Sequence, residues 1–195
     1  AVADAALAAG ADVINDVSGL RDPALAEVVA EHRAGYVLMH TVGAPKTKVL
    51  DPDLYDDVVA TVVEFFEERL GRLHDAGVPA EHVVLDPGLD FGKTPRQSLD
   101  LVARAAEIRA ATDRPLLWAI SRKDFIGAIA GVPPRERDPG TLATAAALAR
   151  SAPGSILRVH DVPGTTQHLA VLEHIEEPDR LPPDAMLSEA LRRQA

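Results

Sequence analysis

The sequence predicts an α/β fold built around parallel strands, and three observations carry that reading. Five short runs rich in Val, Ile and Leu alternate with longer segments of helical period. Glycines stand where helices should end (Gly10, Gly77, Gly154) and prolines near where they should begin (Pro23, Pro95, Pro163). Each of the five runs also ends in side chains able to do chemistry, and in a parallel barrel or open α/β sheet the carboxyl ends of the strands form the active face.

In chain order, a helical pattern over Ala1–Ala9 leads to a strand over Asp12–Val17. A helix over Pro23–His32 precedes the strand Tyr36–His40, and the long helix Leu54–Ala76 precedes His82–Asp86. The helix Pro95–Ala111 then leads to Leu116–Ile120, the helix Thr141–Arg150 to Ser155–His160, and a last helix covers Gly164–Ile175. Val62, Val63, Phe65, Phe66, Leu70 and Leu73 make a broad apolar stripe of the kind that packs against a core. The alanine-rich stretch 143–149 reads as a tightly packed helix of small residues, and Glu176–Ala195, with three prolines, reads as a tail holding one short helix. A closed eight-stranded barrel takes roughly 250 residues, so five units leave three strands unaccounted for.

Composition narrows the function. The chain has 195 residues, 47% hydrophobic and 26% charged, enough for one sizeable core. With 30 acidic and 20 basic side chains the net charge is −10, which argues against a broad basic surface for nucleic acid. The absence of cysteine excludes disulfide scaffolds, thiolate metal sites and cysteine nucleophiles. No apolar run approaches the roughly 20 residues of a membrane span and no signal peptide is visible, so a cytoplasmic location without membrane partners is expected. The chain opens within a helical pattern without an initiator methionine, which suggests part of something longer.

The strand-end residues are Asn15 and Asp16; His40; Asp86; Ser121, Arg122 and Lys123; Arg158, His160 and Asp161. Arg158 and His160, two apart on one strand, point the same way and, with Arg122 or Lys123, can clamp an anionic leaving group. Neighbouring carboxylates could equally satisfy them. Asp86 precedes Pro87-Gly88, where a fixed carboxylate suits a paired N–H edge of a heterocycle; its alternative is a loop cap. Asn15 offers an acceptor and donors to the same kind of ring, or an amide bonded to backbone. The run Val42–Leu50 has the composition of a loop that closes over a substrate. His32, His74, His82, His168 and His174 read as surface residues, and no metal-ligand spacing is present.

At Gly10–Ser18, Val37–His40, Gly43–Thr47, Leu85–Lys93, Ser121–Lys123 and Arg158–Val162 the chain closely resembles the dihydropteroate synthase family of folate biosynthesis. The blocks come in the family's order, and the Asp-Pro-Gly, Ser-Arg-Lys and Arg-Val-His-Asp-Val set is specific. The resemblance implies a (β/α)8 TIM barrel whose last five βα units are present, residues 1–175 forming the C-terminal part of the barrel and 176–195 a tail. It implies condensation of 6-hydroxymethyl-7,8-dihydropterin pyrophosphate with p-aminobenzoate, release of pyrophosphate with Mg²⁺, and a homodimer. Asn15 and Asp86 would grip the pyrimidine edge of the pterin, and Lys123 its polar edge, with Met39 and Phe91 beside the pterin and p-aminobenzoate pockets. Arg158 and His160 would hold the pyrophosphate, forming with Lys123 the catalytic set, while Ser121 and Arg122 would line the p-aminobenzoate side. Pro45, Lys46 and Thr47 would belong to a mobile loop. The Mg²⁺ ligand is expected in a segment ahead of Ala1, and sulfonamides are expected to compete with p-aminobenzoate.

Two departures are visible. Ala119 replaces a glycine on the pocket floor and would crowd the pterin by a methyl, and Asp90 stands where many members have glycine. Five strands would leave two open sheet edges, so the chain alone is expected to be poorly stable. A pterin-binding methyltransferase acting between a folate and a corrinoid is an alternative, though it has no pyrophosphate for Arg158 and His160 to hold. A non-catalytic paralogue acting as a binding subunit is another.

Overall fold

The structure, a computed structural model, describes residues 1–43 and 50–192. It divides into two compact units, residues 1–160 and 161–195.

In the first unit, β1 (Val13–Asp16), β2 (Gly35–Met39) and β3 (Val83–Asp86) form a parallel sheet in chain order. Asn15 lies opposite Val37, which lies opposite Val84, and Met39 lies opposite Asp86. A second parallel pair, β4 (Leu117–Trp118) and β5 (Ile156–Leu157), is joined to β3 through a parallel bridge between Leu85 and Leu116. All five expected strands are therefore present and parallel. The last two are shorter than the apolar runs: after Arg158 N–H bonds to the Trp118 carbonyl at 2.9 Å the ladder ends, and the chain turns at Arg122 with a φ of 58°.

Alternation along the strands separates two faces. Val37, Leu117 and Ala119 cluster on one, with Val84 packed against them. Tyr36, Leu38, Leu85, Leu116, Trp118 and Ile120 lie on the other, completely buried. At the outer strands Val13 is 54% and Ile156 47% exposed, values that mark β1 and β5 as edges among the described residues.

The helices of this unit are α1 (Val2–Ala8), α2 (Ala24–His32), α3 (Val58–Asp75), α4 (Pro95–Ala103), α5 (Ala105–Thr112), α6 (Asp124–Ala130) and α7 (Asp138–Ser151). The predicted helix from Leu54 starts four residues later because Asp57, in extended backbone, accepts hydrogen bonds from the Val59 and Ala60 amides. Val62, Phe66 and Leu73 of the stripe are buried, as expected of core packing. Thr94 and Gln97 close a capping box at the start of α4. The single helix predicted over Pro95–Ala111 is two, broken at Arg104 (φ −107°, ψ 26°), whose guanidinium holds Asp57 at 2.8 Å and Glu107 at 2.6 Å. The start of α7 lies three residues ahead of the predicted Thr141, on Asp138-Pro139, because proline suits the first helical turn. Helix α6 was not predicted; its signals were the acidic Asp124 in the first turn and Gly131, left-handed at φ 69°, just past the end.

Asp16 shows how a strand-end carboxylate becomes structural. It accepts the Tyr36 hydroxyl at 2.5 Å, the Ser18 amide and hydroxyl, and the Leu20 amide at 2.6 Å. Burial alone would raise its pKa, but hydrogen bonds from Ser18, Tyr36 and Leu20 outweigh that and hold it below the usual range. Tyr36→Phe is expected to cost about 1–2 kcal/mol, because it leaves a buried carboxylate oxygen short of a donor. Urea unfolding would show it as a lower midpoint with an unchanged slope.

In the second unit α8 (Val162–Glu176) is capped by Asp161, which accepts the Gly164 amide at 2.9 Å. Arg180 pairs with Glu173 and Glu177, and the tail carries one short helix, α9 (Glu189–Arg192), as predicted. No helix among the described residues is long and apolar enough to cross a membrane.

Candidate functional site

The site is built around the end of β3. Asp86 is 1% exposed, and the two oxygens of its carboxylate do different things. Oδ1 accepts the Gly88 amide at 2.8 Å, which sets the Pro87-Gly88 turn. Oδ2 is buried without a hydrogen-bond donor among the described residues, and its charged neighbour is Arg158 Nη2 at 3.5 Å. The loop-cap reading of Asp86 therefore holds for one oxygen, and the other has no hydrogen-bond donor among the described residues. Burial pushes the Asp86 carboxyl up, opposed by the Gly88 amide and by the charges of Arg158, Lys123 and Lys93.

Arg158, just beyond β5, reaches across the rim and donates to Asn15 Oδ1 at 3.2 Å. Residues 143 apart in sequence are thereby joined, tying β1, β3 and β5 at one point. Met39 is buried at the end of β2, opposite Asp86. Lys123 donates to the Leu89 carbonyl at 2.8 Å, lies 5.4 Å from the centre of the Phe91 ring and 3.8 Å from Asp90 Oδ2. Burial lowers its pKa and Arg158 adds to that, while Asp90 and Asp86 act in the opposite direction.

The Ser121 hydroxyl lies 2.6 Å from His160 Nδ1 and accepts the His160 amide at 3.2 Å. Phe91, Ala119, Ser121, Lys123, Arg158 and His160 surround an open cavity of about 410 Å³. Ala119, packed with Val37 and Leu117, is among the residues that line this cavity. Asp90 adopts φ 68°, a backbone conformation that glycine takes without strain. Its side chain compensates: Oδ2 accepts the Asp124 amide at 3.1 Å, Oδ1 accepts the Ser98 hydroxyl at 3.3 Å, and its own amide donates to Ser98 Oγ at 3.1 Å.

Not every predicted residue joins this group. The Arg122 guanidinium makes a bidentate pair with Asp138, both bonds 2.8 Å, and its amide donates to Thr141 Oγ1 at 3.0 Å. His40 and Asp16 lie on the strand face opposite Met39, Asp86 and Asn15, as alternation requires. His40 is buried with Nδ1 2.8 Å from Lys93 Nζ; burial, and then the Lys93 charge, push its pKa down to about 2, so the ring is neutral. Among the histidines read as surface residues, His32 pairs with Asp4 at 2.9 Å, and His74 and His174 are also exposed. His82 and His168 are instead half-buried, each with one ring nitrogen closed off from solvent. Pro45, Lys46 and Thr47 lie outside the described residues. Sequence reasoning passed over Lys93, whose side chain supports the loop from Gly88 to Phe91.

No three His, Asp or Glu side chains among the described residues come together in a way that could hold a metal ion.

A family model described as pterin binding enzyme matches residues 1–160. The chain is 42% identical over 164 residues to dihydropteroate synthase of Escherichia coli strain K12, an alignment covering 84% of this chain and 57% of that protein. It is also 42% identical over 179 residues to a Mycobacterium bovis protein named inactive dihydropteroate synthase 2, covering 90% of this chain and 56% of that one. The chain thus spans a little over half the length of these curated relatives. Among solved structures, Thermus thermophilus dihydropteroate synthase in complex with 4-aminobenzoate superimposes with a TM-score of 0.81 at 39% identity, over 90% of this chain and 70% of that one. The same enzyme has also been solved in complex with 6HMPPP, with a TM-score of 0.78 over 89% of this chain and 66% of that one. With a family model spanning most of the sequence and an α/β fold shared with solved members, this chain belongs to the family of pterin binding enzymes.

Proposed function

We propose that the protein acts as a dihydropteroate synthase, joining 6-hydroxymethyl-7,8-dihydropterin pyrophosphate to p-aminobenzoate. The observation that carries this is the buried Asp86 Oδ2, without a donor among the described residues and 3.5 Å from the Arg158 guanidinium, which with Lys123 and His160 lines the cavity. A carboxylate for a ring N–H edge and three cationic or donor groups for an anion are what such a substrate needs. The strands would form five of the eight βα units of a barrel, residues 1–175 would belong to it, and 176–195 would be a tail.

In this reading Asp86 Oδ2 and Asn15 take the pyrimidine edge, and Lys123 the polar edge of the ring. Met39 and Phe91 wall the pocket. Arg158 and His160 receive the pyrophosphate: the bond between the exocyclic methylene carbon and the phosphate oxygen breaks, and both electrons leave with pyrophosphate. The amine nitrogen of p-aminobenzoate forms the new C–N bond and gives up one proton to solvent or to the departing anion. Positive groups already aimed at the leaving oxygens stabilise the charge as it develops, and no activated nucleophile is required. Ser121 would line the p-aminobenzoate side; Arg122 would act there while bound to Asp138. Mg²⁺ would neutralise pyrophosphate when bound, with a protein ligand supplied from outside the described residues. A homodimer and a cytoplasmic location complete the proposal.

Arg158→Ala is expected to slow turnover about ten- to hundredfold, the worth of a charged hydrogen bond to the leaving group. Steady-state rates at saturating p-aminobenzoate would measure it. Calorimetric titration with the pterin pyrophosphate, then with p-aminobenzoate, tests the whole reading: p-aminobenzoate should bind only after the pterin substrate or pyrophosphate. A second reading, a non-catalytic binding subunit, draws on the name of the Mycobacterium bovis relative and on Ala119 at the cavity lining. It is the one supported if neither substrate binds.

A further inference from the structure

We propose that Lys93 is a positioning residue for the ligand site: its buried amine braces the turn from Gly88 to Phe91 and adds to the positive charge gathered around Asp86. The bracing rests on geometry alone, and its consequence for a ligand rests on the pterin reading above.

Lys93 is 1% exposed. Its Nζ lies 2.8 Å from His40 Nδ1 and donates to the carbonyls of Gly88 and Phe91, each at 3.1 Å. Three protons meet three acceptors, so the group is saturated and takes no direct part in binding. An ammonium so placed is costly compared with an apolar side chain of the same length, and that cost points to work an apolar residue could not do. The two carbonyls it holds bracket Leu89 and Asp90. Leu89 offers its own carbonyl to Lys123, and Phe91 presents its ring to the cavity. Lys93 thus sets the place of one cavity wall and of the Lys123 anchor without touching the cavity.

The charged and titratable groups facing Lys93 are Asp86 from β3, Asp90 from the loop, Lys123 at the start of α6 and neutral His40 from β2. Burial lowers the Lys93 pKa to about 7, Asp86 and Asp90 working against that fall and Lys123 with it. Its charge is therefore fullest below neutrality, where a buried Asp86 is most easily protonated. Arg158 and Lys123 are the other positive groups that oppose that protonation.

Lys93→Met keeps the bulk and removes the charge. Its Kd for dihydropterin pyrophosphate should rise about tenfold at neutral pH, and the ratio to the unaltered protein should widen as pH falls, since Asp86 would protonate at a higher pH. An unchanged Kd, or a ratio that stays the same at every pH as a purely structural defect would give, overturns the proposal. Should the variant not fold, nitrogen and carbon NMR of the unaltered protein decides the matter. The proposal requires an unprotonated His40 Nδ1, a slowly exchanging Lys93 ammonium and an ionised Asp86 carboxyl at neutral pH; a protonated Asp86 or a freely exchanging ammonium overturns it. If the unaltered protein does not bind the pterin, the functional reading fails while the NMR result still judges Lys93.

Discussion

Asp86→Ala is expected to weaken binding of the pterin substrate by roughly 2–4 kcal/mol, because two buried N–H donors of the ligand would lose their acceptor and find no water in its place. The effect should exceed that of any other single truncation at the site. Asp86 is 1% exposed, and Arg158, at 3.5 Å, cannot accept a hydrogen bond. Asp86→Asn separates charge from shape: it retains an oxygen but presents an amide that can only donate at the second position. Isothermal titration of the three proteins would rank their affinities as unaltered, then Asn, then Ala within a small margin. Affinity for the pterin unchanged within twofold in the alanine variant would remove Asp86 from the pterin site.

Gly88→Ala is expected to be the most damaging change of a single methyl. Gly88 sits at φ 70°, and a Cβ built there would fall on the carbonyl oxygen of His40, a backbone atom just past the end of β2 in a residue held by its amide to the Asp86 carbonyl. Left-handed strain and overlap with backbone together should cost about 2–4 kcal/mol of stability. They should also withdraw the amide that holds Asp86 Oδ1. Gly77→Ala is the matched control, since Gly77 has a φ of 86° but nothing within 4 Å of the added carbon. It should lose only about 1 kcal/mol. Thermal melts of both variants, with pterin affinity measured beside them, would show whether the loss at Gly88 reaches the site.

Much of this was legible before the structure. The five apolar runs located every strand among the described residues: β2, β3 and β4 because a strand buried on both faces must be apolar along its length, and the exposed edges β1 and β5 because they stand between helical segments in the same alternation. Their ends were less clear: the runs at Leu116–Ile120 and Ser155–His160 are apolar or polar for reasons of packing and chemistry after the ladder has stopped. The break at Arg104 was hidden because the apolar period continues through it, and the distant Asp57 helps to hold it open. Asn15, Asp86, Lys123, Arg158 and His160 were readable from their strand-end positions. Asp16 and His40 looked alike by that criterion, and only the alternation of faces tells them apart. Lys93 escaped notice because a lysine in a glycine-rich loop reads as solvated. The Asp138 partner of Arg122 lies 16 residues away on a helix whose start was placed too late to include it.

Among the described residues, backbone pairing between the three-stranded sheet and the β4–β5 pair is confined to the bridge at Leu85 and Leu116. Asn15, Met39 and Asp86 stand on one side of that seam, and Lys123, Arg158 and His160 on the other. A parting of the seam would separate these two groups of side chains, so the site would be lost by a local opening before the chain unfolds as a whole. A ligand that touches both banks acts as a staple: at a hundred times its Kd it would hold the seam shut by about 2.7 kcal/mol. Substrate would then govern the mechanical integrity of this half of the molecule as well as occupy it.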